Sequence, residues 1–202
     1  MNSSVTATGM QVEAKTDSAF LIISAGTTLV NANNTTATGS MDAELYPTHP
    51  IAALSSTNVA TTTNWGTATS TDPDDANVEA ELTPLSAGAT LTNYVAKQSY
   101  MVGLFENSAS ATNPLRMKSI TFSSVNTGIT AVVVCGSNLY SYTTTNSEIT
   151  GATLAAADLI TITGVQVDVY VYIDGANENV KTTNALALTG TIQMVYTIDA
   201  EG

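Results

Sequence analysis

The amino-acid sequence predicts an all-β protein, an antiparallel jelly-roll-like β-sandwich with one or two short helices. Stretches of alternating polar and apolar residues recur along the chain, and convincing amphipathic helices do not. Gly, Pro, Asn and Asp separate these stretches at short intervals, as turns require. Roughly eight to ten strands at this spacing indicate a sandwich. A chain of 202 residues is long enough for one such domain, and we expect 1–202 to be a single domain.

The first half of the chain contains three strand-like stretches and one long turn region. Residues 5–15 and 19–25 are separated by a polar turn, so we expect them to form a hairpin. Residues 41–47 predict a short strand that ends at Pro47. Residues 66–78 are rich in turn formers and predict a surface loop, and the stretch 77–85 favours a short helix limited by Pro84.

The second half is more regular. Residues 98–107 and 117–125 predict strands, and residues 128–143 predict a buried strand followed by a turn at positions 136–138. Residues 152–160 are the best helix candidate, at about one or two turns. The last strand, 189–200, places four apolar side chains on one face: Ile192, Met194, Tyr196 and Ile198.

The stretch "VQVDVYVYIDG", residues 165–175, alternates along its whole length. One face carries only Val and Ile and is predicted to face the core, because strand side chains alternate with period two. The other face presents Tyr170 and Tyr172 beside Gln and Asp. The sequence alone leaves three interpretations of that face: ordinary solvated surface, a ligand-binding face, or a surface that another protein covers.

Composition restricts the classes of function. Only 11% of the residues are charged, against roughly 25% in an average soluble domain. Thr, Ser, Asn and Ala take their place, which is typical of secreted and surface-layer proteins. The net charge of −12 disfavours nucleic acid and anionic membranes as partners. No stretch is long enough to span a membrane, and a single cysteine, Cys135, excludes an intrachain disulfide.

The chain opens "MNSSVTATGM", without a basic stretch followed by an apolar one. Because the composition is typical of secretion, we expect an extracellular or cell-surface protein whose leader has been removed. A cytosolic protein is the alternative.

The sequence offers few of the side-chain combinations that enzyme active sites commonly use. His49 is the only histidine, so histidine-rich metal sites lack their ligands. A Ser–His–Asp or Cys–His arrangement would have to use His49, and no G-x-S-x-G pattern surrounds any serine. Cys135 lies in an apolar stretch that would raise its pKa. A glycosidase needs two carboxylates, but Trp65 is the only tryptophan available as a sugar platform. We therefore predict no enzymatic activity and no cofactor.

Two acidic loops are candidates for calcium binding. One carries Asp72, Asp74 and Asp75, and the other carries Asp174, Asn177, Glu178 and Asn179. Neither has the spacing of an EF-hand, and Asp and Asn are also frequent in turns for backbone reasons. The turn interpretation is the simpler one.

Three stretches resemble exported proteins of the TasA/camelysin group of bacteria and archaea. They are "VTATGMQVEAKTDSAFLIIS", "YMVGLFENSASATNPLRMKSITFSS" and "VDVYVYIDGANENVKTTNALALTGTIQMVYTIDA". In that group, a first strand with a central glycine follows the leader, and a late strand runs into an acidic loop before the final strand. The matching features here are Gly9, residues 167–175 and residues 189–200.

The resemblance implies a jelly-roll sandwich that builds extracellular filaments, in which a segment near one subunit's N-terminus completes the sheet of its neighbour. The predicted function is thus a secreted structural subunit of a filament or biofilm matrix, a homopolymer with residues 2–10 as donor strand. The predicted polymer-interface residues are Asn2, Val5, Ala7, Gly9, Met10, Tyr170 and Tyr172. The metallopeptidase activity attached to the camelysin name is not carried over, because zinc-ligand spacing is absent.

Two other functions remain open at this point. The first is a monomeric cell-surface binding module, an adhesin or carbohydrate-binding domain, that would use its loops and the Tyr170/Tyr172 pair. The second is a viral or phage coat jelly roll, for which the sequence offers no basic arm to package a genome.

Overall fold

The computed structural model describes residues 9–30, 32–68, 82–106, 108, 110–147, 152–177, 179–180 and 184–199. Regular structure in these residues is almost entirely β, and the predicted all-β antiparallel sandwich is confirmed. The helical elements among them are three 3₁₀ turns of three residues each: Thr62–Asn64, Leu91–Asn93 and Ala157–Leu159.

The described residues form fifteen strands in chain order. They are β1 (Met10–Thr16), β2 (Leu21–Ala25), β3 (Thr36–Met41), β4 (Glu44–Leu45), β5 (His49–Pro50), β6 (Trp65–Ala68), β7 (Leu82–Pro84), β8 (Val95–Leu104), β9 (Leu115–Ser123), β10 (Ile129–Cys135), β11 (Asn138–Thr143), β12 (Thr153–Ala155), β13 (Val165–Ile173), β14 (Leu186–Ala187) and β15 (Thr191–Thr197).

Two five-stranded sheets make the sandwich. The first sheet has the order β12-β9-β15-β1-β3, and the second has the order β11-β10-β13-β8-β2. From β8 onward the chain passes between the sheets at most connections, in the order of a jelly roll. Strands β5, β6 and β7 form a small third sheet, and β14 pairs with β4.

The main core lies between the two five-stranded sheets and follows the predicted alternation. On β15, Ile192, Met194 and Tyr196 are fully buried, and on β13 the valines face the same core. The strand β10 is buried along its whole length, as its continuous apolar run predicts. A strand covered on both faces needs such a run, and β10 is an interior strand of the second sheet, between β11 and β13.

The predicted hairpin of the first two strands is wrong. β1 belongs to the first sheet and β2 to the second, and residues 17–20 connect them. The Thr16 hydroxyl donates to the carbonyl of Leu21 (3.2 Å) where the chain crosses. Both strands have an apolar face that must be buried, and placing them on opposite sides of the core buries both.

Strand β1 lies in the interior of the first sheet, between β3 and β15. It runs parallel to β15 over six residue pairs and antiparallel to β3 over six more. Its inward side chains Met10, Val12 and Ala14 are fully buried, and the Tyr100 hydroxyl donates to the carbonyl of Val12. Every other ladder between named strands of the described chain is antiparallel.

This position corrects the predicted donor segment. Met10 is part of β1 and lies in the chain's own core, so it is not available to a neighbouring copy. Gly9 precedes β1 with φ +109°, against the backbone of Asp42. Asn2, Val5 and Ala7 lie outside the described residues. The candidate donor is therefore the segment that precedes Gly9.

Two other local predictions are corrected. The predicted helix at 152–160 is strand β12 followed by a single 3₁₀ turn, because Leu154 and Ala155 are buried and β12 pairs with β9. Within 77–85, residues 82–84 form strand β7 beside β6, and residues 77–81 are outside the described part.

The sandwich has two distinct ends. At the N-terminal end the described chain enters β1 at Met10, beside Met41 of β3 and close to the start of β15. At the C-terminal end β1 and β15 both finish, and β2 begins beside the end of β8. The described N- and C-terminal residues, Gly9 and Asp199, thus lie at opposite ends.

Replacement of Gly9 by Ala is expected to destabilise the protein more than Gly136→Ala. Both glycines have a positive φ, which costs an L-residue roughly 1–2 kcal/mol. A Cβ on Gly9 would also lie 2.8 Å from the Cα of Asp42, whereas a Cβ on Gly136 would meet nothing within 4 Å. Urea unfolding midpoints of the two variants compare these costs. Equal midpoints would show that the entry into β1 is not tightly packed.

Candidate functional site

An insert between β4 and β8, residues 46–94, covers part of the outer face of the second sheet. Of this insert, residues 46–68 and 82–94 are described, and they include β5, β6 and β7. It forms a second apolar cluster with the sheet, separate from the main core. The buried members of this cluster are Val59, Trp65, Leu85, Val95, Val132, Val134, Tyr170 and Tyr172.

Trp65 is the centre of this second cluster. Its side chain is fully buried, and its ring meets Tyr172 edge-on, with ring centroids 4.8 Å apart and an interplanar angle of 68°. The indole Nε1 donates to the carbonyl of Val59 (3.0 Å), so the buried polar atom has its partner. The insert thereby packs on the sheet as a part of the protein's interior.

The second face of β13 is therefore covered by the chain itself. Tyr170 and Tyr172 are only 6% and 5% exposed. Their predicted place as a pair at a polymer interface, or at a glycan-binding surface, is corrected, because both side chains pack against the insert. Tyr172 alone also lines a cleft at the surface. The alternation identified the side of the strand correctly, and the covering element came from a distant part of the sequence.

A polar seam joins the insert to the end of β13. Thr48 pairs with Asp174 in an isolated parallel bridge, and the Thr48 hydroxyl donates to the carbonyl of Gly66 (2.7 Å). His49 Nδ1 lies 2.7 Å from Asp174 Oδ1. The single histidine thus contacts the carboxylate at the end of the covered strand.

An open cleft of about 500 Å³ lies beside this seam. Its lining includes Pro50, Leu82, Leu139, Ser141 and Tyr172 as well as His49. The cleft is open to solvent, and its lining surface is more polar than apolar. We relate this cleft to the predicted alternative function, a surface binding module.

Beyond the insert, the outer face of the second sheet is polar and internally paired. Asp168 accepts hydrogen bonds from Ser99 Oγ (2.6 Å) and Gln166 Nε2 (2.8 Å), and Lys97 Nζ lies 2.9 Å away. Partial burial acts to raise the pKa of Asp168, but these three partners outweigh it and hold the pKa below its ordinary value. The negative charge of Asp168 is thus balanced by partners on the same sheet.

The acidic loops that were candidates for calcium are only partly described. Asp72, Asp74, Asp75 and Glu178 lie outside the described residues. In the second loop, Asp174 Oδ1 contacts His49 and accepts from the backbone N–H of Ala176 (3.0 Å), and Asn177 Oδ1 accepts from the backbone N–H of Asn179 (2.9 Å). These are turn-stabilising bonds. No group of three or more metal-ligating side chains is found within the described ranges.

Comparison with known proteins identifies no relative: no family model, no curated protein and no solved structure matches this chain. No helix in the described part has both the length and the apolar character needed to cross a membrane.

Replacement of Trp65 by Ala is expected to cost about 3–5 kcal/mol of unfolding free energy, because it leaves a large cavity in the second cluster. Urea unfolding followed by circular dichroism measures the loss. Val30→Ala is the control, since Val30 is mostly exposed and the change should lie within about 0.5 kcal/mol. A Trp65→Ala loss as small as that of the control would mean that the insert does not stabilise the sheet.

Stability is expected to fall at alkaline pH through buried tyrosines. Burial raises the pKa of Tyr172 to about 12, from an ordinary value of 10.0. The folded state therefore holds the proton more tightly, so this contribution is complete below pH 10 and is lost as pH rises from 10 towards 12. In thermal unfolding measured across this range, Tyr172→Phe should reduce the steepness of the decline. Tyr46→Phe, the same substitution at an exposed position, is the control variant.

Proposed function

We propose that the protein is a secreted structural subunit of an extracellular filament or biofilm matrix, in which the segment before Gly9 of one copy pairs with the sheet of the next. The observation that supports this most is the position of the two described chain ends. Gly9 lies at one end of the sandwich and Asp199 at the other. A segment donated from the N-terminal end therefore reaches a neighbour stacked along the strand direction.

Strand β3 offers a matching acceptor edge. It is the last strand in the order of the first sheet, and among the described strands it pairs only with β1. Its outward side chains Thr36, Thr38 and Ser40 are exposed. An edge of this kind presents unpaired N–H and C=O groups, which an added strand satisfies.

Length and direction are both consistent with addition at this edge. Residues 2–8, if extended, span about 23 Å, close to the length of the six-residue strand β3. Because β1 and β3 are adjacent and antiparallel, a segment that continues β1 backwards into a coaxial neighbour runs antiparallel to that neighbour's β3. The added strand would match the antiparallel pairing that dominates the sandwich.

Exchange of β1 itself would give a different assembly. If residues 17–20 opened and β1 entered another copy in the same register, the C-terminal ends of the two copies would face each other, because the linker is only four residues long. Such an exchange is reciprocal and closes as a dimer. An open-ended filament therefore requires donation of the segment before Gly9, while β1 stays in its own sheet.

A monomeric binding module is the second candidate, and the cleft beside His49 and Ser141 is the observation that favours it. Glycan-array binding by a monomeric protein, lost on Leu139→Asp in the cleft wall, would support this function. Of the tyrosine pair, only Tyr172 lines this cleft, and it is 5% exposed.

Deletion of residues 2–8 is expected to abolish filament formation and leave the fold intact. The full chain should form filaments in negative-stain electron microscopy, and the truncated chain should remain monomeric with an unchanged melting temperature. Within the segment, Val5→Asp should weaken assembly because an apolar anchor is replaced by a charge, whereas Val5→Ile should preserve it.

Two outcomes contradict the proposal. Filaments that persist after the deletion would exclude donation of this segment. A full chain that stays monomeric at high concentration would exclude self-assembly altogether.

A further inference from the structure

An ionisable contact joins the insert to the second sheet beside the cleft. His49 Nδ1, on β5, lies 2.7 Å from Asp174 Oδ1, at the end of β13, and the two side chains are 21% and 23% exposed. An ionised carboxylate can only accept, so Nδ1 holds the hydrogen of this contact whether the ring is neutral or protonated. Protonation of the ring therefore adds its proton at Nε2. It leaves the contact in place and adds a positive charge beside the carboxylate, which strengthens the hydrogen bond.

On the insert side of this contact, the described residues carry no permanent charge. Residues 46–68 and 82–94 include no Asp, Glu, Lys or Arg, and their two tyrosines pack against each other. The remaining insert residues, 69–81, lie outside the described ranges and contain carboxylates but no Lys or Arg: Asp72, Asp74, Asp75, Glu79 and Glu81. In the described insert, His49 is therefore the group whose charge changes between about pH 5 and 8.

On the side of the sheet, Asp174 is the charged group that the described residues present to the imidazole. Strands β10 and β11 carry no charged residue, and their titratable side chains face the main core: Cys135, Tyr140 and Tyr142. Tyr172, on the same face of β13 as Asp174, stays neutral in this range because burial raises its pKa to about 12. The following loop contains Glu178 and Lys181, both outside the described ranges.

The position of His49 connects this contact to the interior of the second cluster. The residue before it, Thr48, is held to the end of β13 by backbone hydrogen bonds, which do not titrate. The residue after it, Pro50, lies opposite Trp65 in the pairing of β5 with β6. His49 is therefore the point at which the insert leaves the fixed seam, and its contact with Asp174 sets the direction in which β5 continues beside Trp65.

Beyond His49 the chain forms one wall of the cleft. Residues 50–54 line the cleft from the insert, and three residues line it from the sheet: Leu139, Ser141 and Tyr172. Residues 51–53 are exposed, so little packing holds this wall in place. Segments with few buried contacts open locally at a low free energy. A change in the strength of the contact at His49 is therefore expected to alter how firmly the wall lies on the sheet.

We propose that His49 and Asp174 form a pH-sensitive latch, which holds the cleft wall of the insert against the second sheet when His49 is protonated and loosens it when His49 is neutral. The inference goes beyond the proposed function and does not depend on it, because the latch acts within one copy of the chain. Because the cleft lies between this wall and the sheet, the latch also controls the width of the cleft.

The direction of the effect follows from the pairing. The charged imidazole has Asp174 as its partner only when the insert is closed, so protonation and closure favour each other. The added stability is complete below the ordinary titration range of histidine, near about pH 6.5, and is lost as the pH rises above it. Partly exposed ion pairs contribute modestly, so the ratio of closed to open insert is expected to be about two- to fivefold larger at about pH 5.5 than at about pH 8.

The single tryptophan allows the latch to be measured without a label. Trp65 is fully buried beside the latch, so a quencher reaches its ring only when the insert opens. Acrylamide quenching of its fluorescence in the full chain is expected to be about two- to fivefold stronger at about pH 8 than at about pH 5.5. Far-ultraviolet circular dichroism, which monitors the sheets, should be the same at both pH values.

Three variants identify the groups responsible. His49→Gln and Asp174→Asn each remove one charge and keep a side chain of similar size that forms hydrogen bonds. Both are expected to show the stronger quenching at both pH values, because the ion pair is lost. Lys118→Gln is the matched control: it removes an ion pair with Asp17 from the first sheet and should keep the pH dependence of the unchanged chain.

Three results would overturn the latch. Quenching of the unchanged chain that is independent of pH, or stronger at low pH, would show that protonation does not close the insert. A pH dependence that persists in both His49→Gln and Asp174→Asn would assign it to other titrating groups. Loss of the pH dependence in Lys118→Gln as well would show that pH acts on the fold as a whole.

Discussion

The burial of both faces of β13 is the constraint on which the rest of the structure depends. Its valines face the main core, and its two tyrosines face the second cluster around Trp65. A strand that is apolar on both sides needs two covering layers, and the sandwich by itself provides only one. The insert at 46–94 supplies the second layer, and the contacts of Thr48 and His49 with Asp174 fasten it at the end of the strand.

The position of β1 is the second determinant of the architecture. The first strand in the described chain pairs with the last one, so the first sheet is complete only when β15 is present. Long-range pairing of this kind raises the entropy cost of folding, because a loop of nearly the whole chain must close. The fully buried side chains of β1 and the hydrogen bond from Tyr100 to Val12 offset that cost.

Alternation in the sequence predicted which side of β1 and of β15 is buried. For β10, the continuous apolar run predicted burial along the whole strand. It could not predict which element covers a second face. Tyrosine suits solvent and interior equally well, and Trp65 lies in a stretch of threonines without an apolar period. The available signal for a covering element was a lone tryptophan in a long insert between two strands.

The hairpin was predicted wrongly because a polar connection of four residues can lead the chain from one sheet to the other as well as form a tight turn between adjacent strands.

The parallel pairing of β1 with β15 has a mechanical consequence. Tension applied along the molecule from Gly9 to Asp199 would pull β1 towards one end and β15 towards the other. These neighbouring strands would then be loaded in shear. The hydrogen bonds of a parallel ladder are evenly spaced, so the load would be shared among them and they would have to rupture together. A sandwich joined in this way resists stretching along its strands far better than it resists peeling from an edge.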